Sequence, residues 1–523
     1  MSFLSPRGQR QITCLTVLLS GLGMLVLATA GVIAYPLFVP AAKPQAKAAP
    51  SSTTYVIREP NNDLIGVSDG DYAFDTNRSG GDLKSQAAER LQKGDKPGAL
   101  SLWREELAKN TNDAEALIYQ EDQLVLASGK PYITLVVGTI LTDTDSGDMS
   151  TARDTLQGAY VAQKEHNDSL KPGAGKLLRL LIANSGSDPD YATSVAQQIV
   201  QIARKDTTII GVMGWPYSAQ TLNAAKVLSA ANIPLVSSTA SSDDLTGFSP
   251  FFFRVAPSNK TQAIAGAEYI ERQLGARRVA VFVDPNNTYS RSLSNDFTTR
   301  FINDGNKIID TEEYKVGDTE AFPSLLQKAL RTNPDLIYFA GYASDLAKLL
   351  ELQPDLQVMG GDALYELGGY SSAARRGFTH LHFTAFAYPD EWGIEGQTAP
   401  SFFTLYVQDF DPLHQHLNQY GFSRPASDVM LSYDAMQALL KGCTNALSSG
   451  RTSLTPQTLQ QGLTKINGDQ AIQGVTGQIS FGSNGDPVNK AIVVLHVVSG
   501  FIQVVDDHGI QGCFLLGTCK NTN

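Results

Sequence analysis

Two successive runs of apolar strands alternating with amphipathic helices constrain this 523-residue chain more than any other feature. The first run predicts strands at 133–137, 177–183, 208–212 and 234–236, separated by helices at 152–164, 191–203 and 218–230. The second predicts strands at 279–283 and 336–339, with helices at 290–301 and 343–352. A strand such as Ile133-Thr134-Leu135-Val136-Val137 is apolar at nearly every position. Strands of that kind belong in parallel sheets covered by helices on both faces. Two runs therefore predict an α/β chain of two lobes. Further on, 477–481, 491–497 and 501–505 read as antiparallel strands, with Asn484-Gly485-Asp486-Pro487 as a turn.

The N-terminal part follows other rules. Arg7 and Arg10 precede a stretch, 11–42, without one charged side chain. Its centre, 12–39, is long enough to cross a bilayer, which takes about 20 apolar residues. The basic flank places the N-terminus inside and the body outside the cell membrane. Residues 1–40 are thus an N-terminal membrane anchor, or a signal segment cleaved near Ala28-Thr29-Ala30, in which case the body is secreted. Cys14 opens the apolar run rather than following it, unlike a lipid-anchoring cysteine. Residues 41–77 are expected to be linker, with the Ala-, Pro- and Lys-rich 41–54 as a stalk. Over 78–130, Leu83, Ala87 and Leu91, then Leu100, Trp103 and Leu107, recur at helical spacing. This segment resembles a tetratricopeptide hairpin, too short for a solenoid and expected to cap the main body.

Composition excludes several function classes. With 41 basic against 52 acidic residues, the chain lacks the positive balance of a nucleic-acid binder. There is no Gly-x-Ser-x-Gly elbow, no HExxH and no phosphate loop ending in Lys-Ser/Thr, so no catalytic machinery, metal or cofactor is expected. Cys443 falls in a predicted helix. Cys513 and Cys519 are close enough in sequence to close a small loop, and a disulfide is expected there, with two free thiols as the alternative.

More specific markers follow one another in order. They are Gly211-Val212-Met213-Gly214-Trp215-Pro216-Tyr217-Ser218, then Asn232-Ile233-Pro234 leading to Ser237-Ser238-Thr239-Ala240-Ser241. Phe252-Phe253-Arg254-Val255 and Leu274-Gly275-Ala276-Arg277-Arg278-Val279 come next. In this order they resemble the type I periplasmic binding proteins that capture branched-chain and other amino acids for ABC importers, a fold shared with receptor ligand domains. The resemblance covers roughly residues 131–505. It implies two Rossmann-like lobes with a cleft between them: lobe 1 from 131–257 and 384–470, lobe 2 from 258–383 and 471–519.

The site residues follow from the resemblance. Ser218, Ala240 and Ser241 match positions that grip a ligand carboxylate; Ser218 could equally be a plain helix cap. Asp362, in Met359-Gly360-Gly361-Asp362-Ala363, matches an acid for the ligand's ammonium, or caps a turn. Tyr289, Tyr342 and Trp392 match aromatic pocket walls, which suit an ammonium or an apolar side chain. The loop 141–150 departs from the family pattern, carrying Asp143, Asp145 and Asp148 where a compact Ser-Gly pattern is usual. The implied partners are a small ligand, an amino acid first, and an ABC permease. The alternative is an anchored sensor that signals to a partner protein.

Overall fold

The first sheet assembles from residues that are buried along whole strands. In this computed structural model, which describes residues 56–60, 63–143, 145–170, 175–414, 423–448, 453–498, 502–505 and 511–520, the chain opens with β1 (Ile57–Arg58) and β2 (Leu64–Ser68). Helices α1 (Gly81–Gln92), α2 (Lys96–Lys109) and α3 (Ala114–Ala127) follow. Then come β3 (Tyr132–Thr139), α4 (Ser146–Ser169), β4 (Leu177–Asn184), α5 (Tyr191–Ala203) and β5 (Ile209–Met213). The run ends with α6 (Ser218–Ala230), β6 (Leu235–Ser237) and β7 (Phe252–Arg254). Strand order is β1-β2-β4-β3-β5-β6-β7. β3 to β7 run parallel, and β1 and β2 add an antiparallel edge. β4 is buried at every residue, as a strand covered on both faces must be.

The second sheet repeats the plan. It contains α7 (Asn259–Tyr269), β8 (Arg278–Val283), α8 (Thr288–Asn303), β9 (Lys307–Glu313), α9 (Phe322–Arg331) and β10 (Leu336–Ala340). α10 (Ala343–Leu352), β11 (Val358–Gly360) and β12 (Leu381–Ala385) complete its parallel part. The chain then returns to the first lobe through α11 (Ser401–Phe410), α12 (Ser427–Leu447), α13 (Pro456–Leu463) and the hairpin β13 (Ile472–Gly474) and β14 (Gly477–Ile479). It ends in the second lobe with β15 (Val493–Val498) and β16 (Ile502–Val505), the antiparallel edge of β16-β15-β12-β11-β10-β8-β9.

The core corrects three expected boundaries. The linker 41–77 does not extend to 77, because β2 pairs with β4 and buries Ile65 and Val67. Its alternating Leu64-Ile65-Gly66-Val67-Ser68 is a weak signal, five residues long and next to the sheet's edge strand β1. The return to lobe 2 falls near 492, not 470: Val475, Ile479, Phe481 and Ile492 pack in the first lobe's core. β14 accordingly pairs with β13, not with the strand that follows the Asn484 turn. The helical segment is continuous with lobe 1, since Ala99, Trp103 and Tyr119 belong to its core.

The expected membrane segment 12–39 and Cys14 lie outside the described residues. No helix among the described residues is long and apolar enough to cross a membrane. Cys513, in β17 (Gly512–Leu515), is disulfide-bonded, and its cross-strand position in β18 (Thr518–Lys520) is Cys519. Cys443 is a buried free thiol in α12.

Candidate ligand-binding site

The C-terminal ends of both parallel sheets face one cavity, where open α/β sheets place their ligands. It holds about 680 Å³ of unfilled space, counted out to its open mouth. From the first lobe come the start of α4 after β3, Tyr217 and Ser218 after β5, and Thr239 and Ser241 after β6. From the second come Tyr289 after β8, Tyr342 after β10, and Asp362 and Glu366 after β11. Asp428, in the first turn of α12, completes the lining.

One pole of the cavity is neutral and rich in hydroxyls. Ser218 opens α6, where helix N–H groups favour an anion. Its Oγ accepts the Ser242 N–H at 3.2 Å. Ser241 is only 1% exposed, and its hydroxyl has no hydrogen-bond partner among the described residues. A buried polar atom left unpaired is costly unless a ligand satisfies it.

The opposite pole is acidic and rigidly held. Asp362 Oδ1 accepts from Gln262 Nε2 at 2.8 Å and from the Tyr289 hydroxyl at 3.0 Å. Gln262 is fixed in turn by Asn259 at 2.6 Å and by the Thr384 hydroxyl at 2.8 Å. Asn287 caps α8 by accepting the N–H groups of Tyr289 and Ser290, which sets the Tyr289 side chain at the cleft. Burial raises Asp362 to about 6 against the pull of these donors.

An aromatic wall joins the lobes: the Tyr342 ring lies 5.1 Å from Tyr217 and 5.3 Å from Tyr289. The Tyr217 hydroxyl donates to Asp148. Further bonds tie the lobes across the cleft, with Ser344 Oγ donating to Asp145 at 2.8 Å and Thr151 Oγ1 to Glu366 at 3.3 Å. The lobes are in contact, as in a closed state.

Five carboxylates line this space, from Asp148, Asp154, Asp362, Glu366 and Asp428, and among the described residues no Lys, Arg or His does. Each is held above the ordinary carboxylate range, with burial as the first cause. Asp428 rises to about 7, helped by the charge of Asp362, and Asp148 to about 8, helped by Asp143. Burial and then Asp428 raise Asp154, while burial, Asp154 and Asp428 raise Glu366.

Of the residues expected at the site, Ser218, Ser241, Tyr289, Tyr342 and Asp362 meet around this one cavity. Ala240 does not line it: its N–H donates to Ser237 Oγ at 3.3 Å and is spent within its own loop. Trp392 is a second correction. Its indole N–H donates to the Val475 carbonyl at 2.9 Å and its ring packs edge-on against Phe514, 5.0 Å away, so it secures the C-terminal hairpin instead. Asp148, Tyr217, Asp154, Glu366 and Asp428 were not singled out by sequence. Asp148 sits in the acidic loop already marked as unusual, and Tyr217 directly precedes Ser218. Asp154 and Asp428 carry no local signal, because each is one polar residue on an amphipathic helix.

Two α/β lobes with a cleft at their strand ends define a solute-binding architecture. A family model for periplasmic binding proteins matches residues 134–501. The chain belongs to that family. Among solved structures, a leucine-binding protein of Thermotoga maritima is 24% identical, with a TM-score of 0.59 over 72% of this chain and 97% of that one. A branched-chain amino acid transporter substrate-binding protein of Streptococcus pneumoniae, in complex with isoleucine, is 19% identical (TM-score 0.58; 72% and 99% covered). An ABC-transporter solute-binding protein of R. palustris, in complex with benzoate, is 14% identical (TM-score 0.58; 72% and 95% covered). Identities this low establish a shared fold. No curated protein matches the chain.

Proposed function

We propose that this protein is an extracytoplasmic receptor that closes its lobes on an amino acid or a related small polar compound and presents it to an ABC importer. The observation that carries the reading is the polarity of the cavity. The hydroxyls of Ser218 and Ser241 and the N-terminus of α6 suit a carboxylate. Asp362, held by Gln262 and Tyr289, suits an ammonium. The solved leucine-binding protein and the solved complex with isoleucine support the amino-acid class. The apolar run 12–39 supports tethering to the membrane with the body outside the cell. A second reading, a sensor signalling to a partner protein, draws support from α1–α3, which precede the matched region 134–501.

The test is a thermal-shift screen of the full chain in a mild detergent against amino acids, amides, sugars and polyols. A ligand at a hundred times its dissociation constant adds about 2.7 kcal/mol of stability. Stabilisation by an amino acid that disappears in Asp362→Ala supports the reading. Stabilisation only by sugars or polyols overturns it.

A further inference from the structure

Resting on the reading of the cleft as an amino-acid site, we propose that the ligand is a basic amino acid whose side-chain cation lies among Asp154, Glu366 and Asp428. A zwitterion with an apolar side chain needs one acid, and Asp362 supplies it. The remaining carboxylates of the lining would then stand without a counter-charge in a space walled by protein, which is costly unless a cation or protons arrive. Among the described residues, no cationic side chain lines this space. Arg153, adjacent to Asp154, is committed to Asp75 through two bonds of 2.9 Å each.

A second observation points independently to a ligand in the same space. Ser241 is 1% exposed, lines the cavity and leaves its hydroxyl unpaired among the described residues, a donor suited to a ligand carboxylate opposite the acids. The form of the acid group argues for an extended organic cation. No group of three or more His, Cys, Asp or Glu among the described residues is close enough to hold a metal ion. Asp154, Glu366 and Asp428 nonetheless lie near enough to repel one another. Carboxylates spaced in this way suit an ammonium or guanidinium that donates in several directions. Tyr217 and Tyr342, between the two poles, offer ring faces to the aliphatic stem and to the cation.

The experiment is isothermal titration of the full chain at pH 8 with L-lysine, L-ornithine, L-arginine, L-leucine, 1,5-diaminopentane and calcium chloride. A basic amino acid is expected to bind at least about tenfold tighter than leucine, the scale of one desolvated charge pair. Asp428→Asn, with Asp154→Asn as a second variant should the first fail to fold, is expected to cut affinity for the basic amino acid about tenfold more than affinity for leucine. Leucine binding as tightly as lysine overturns the charge assignment and leaves the amino-acid cleft standing. The diamine matching lysine, or calcium binding that Asp428→Asn abolishes, overturns the proposal in favour of a ligand without a carboxylate. If no amino acid binds while the chain is folded, the cleft reading fails and this inference fails with it.

Discussion

Arg153 grips Asp75 at two points, Nε to Oδ2 and Nη2 to Oδ1, each at 2.9 Å. The pair joins α4, which carries Thr151 and Asp154 into the cleft, to the turn that leads into α1–α3. It also takes the basic residue nearest Asp154 out of the cavity's lining. Asp75 is 2% exposed, and although burial pushes its carboxyl up, Arg153, Lys84 and Arg78 together hold it below the ordinary range. A depressed carboxyl contributes stability above its unfolded value of 3.8 and loses it as pH falls through the folded value. Arg153→Ala is expected to cost about 1–3 kcal/mol, toward the lower end because the arginine is 35% exposed and screened by solvent. Guanidinium unfolding at pH 7 checks this, and an unchanged midpoint would show that Lys84 and Arg78 suffice to compensate Asp75.

Lys84 is the sharper case, because it has no access to water at all. Its ammonium sits 2.8 Å from Asp113 and 2.8 Å from Glu115, with a side chain 0% exposed. Glu115 also accepts the N–H groups of Phe74 at 2.7 Å and Asp75 at 3.1 Å, so one carboxylate ties α3 to the strand-to-helix turn. Lys84→Ala strands two buried acids, and a loss of about 3–5 kcal/mol is expected. The loss should show as a lower melting temperature of the whole body, because these helices share the first lobe's core. Separate early melting of a helical fragment would argue that the segment is an independent domain.

Tyr289→Phe tests how firmly the acid pole is built. The change removes a 3.0 Å donor from Asp362 and keeps the ring against Tyr342. One neutral donor to a carboxylate contributes about 1 kcal/mol, so amino-acid affinity is expected to fall roughly fivefold. The Asp362 carboxyl should also rise above about 6, since a group that favours its ionised form is gone. Titration across pH distinguishes this from a packing defect, which would lower affinity equally at every pH.

The lobes were legible in the sequence because parallel strands are apolar throughout, and β4, buried at every residue, shows why that signal is strong. Edge elements were legible only in part: β14, β15 and β16 fall within segments read as antiparallel strands, whereas the short β2 near the first sheet's margin and the three-residue β13 carry too little period to be read. At the site, residues next to strand ends in recognisable motifs, such as Ser218 and Asp362, could be placed by resemblance. Asp154, Glu366 and Asp428 come from three distant parts of the chain, and only the fold brings their charges together. Trp392 failed for the reverse reason: an aromatic residue matching a family pocket position reads as a pocket wall until its indole is seen bonded to Val475.

The cleft's carboxyls make its occupancy depend on pH. In the empty protein Asp362 keeps its proton up to about 6, Asp428 to about 7 and Asp148 to about 8, with burial as the first cause in each case. The charged neighbours facing them are Asp143 and Asp145 for Asp148, Asp362 for Asp428, and Asp428 with the opposing Arg153 for Asp154. A bound cation favours the ionised forms, so binding releases protons and affinity should rise from pH 6 to pH 8. Stability of the empty protein runs the other way. Asp428 retains its proton in the folded state to about 7 but loses it near 3.8 when unfolded, so the folded state binds more protons between those values and its stability falls as pH rises through them. Asp428→Asn removes that penalty and is expected to raise the melting temperature of the empty protein at pH 8, with little change at pH 4. Calorimetry of lysine binding in two buffers of different ionisation enthalpy measures the protons released. A heat that is independent of buffer, together with an affinity flat from pH 6 to pH 8, would mean that these carboxyls are already ionised in the empty cleft.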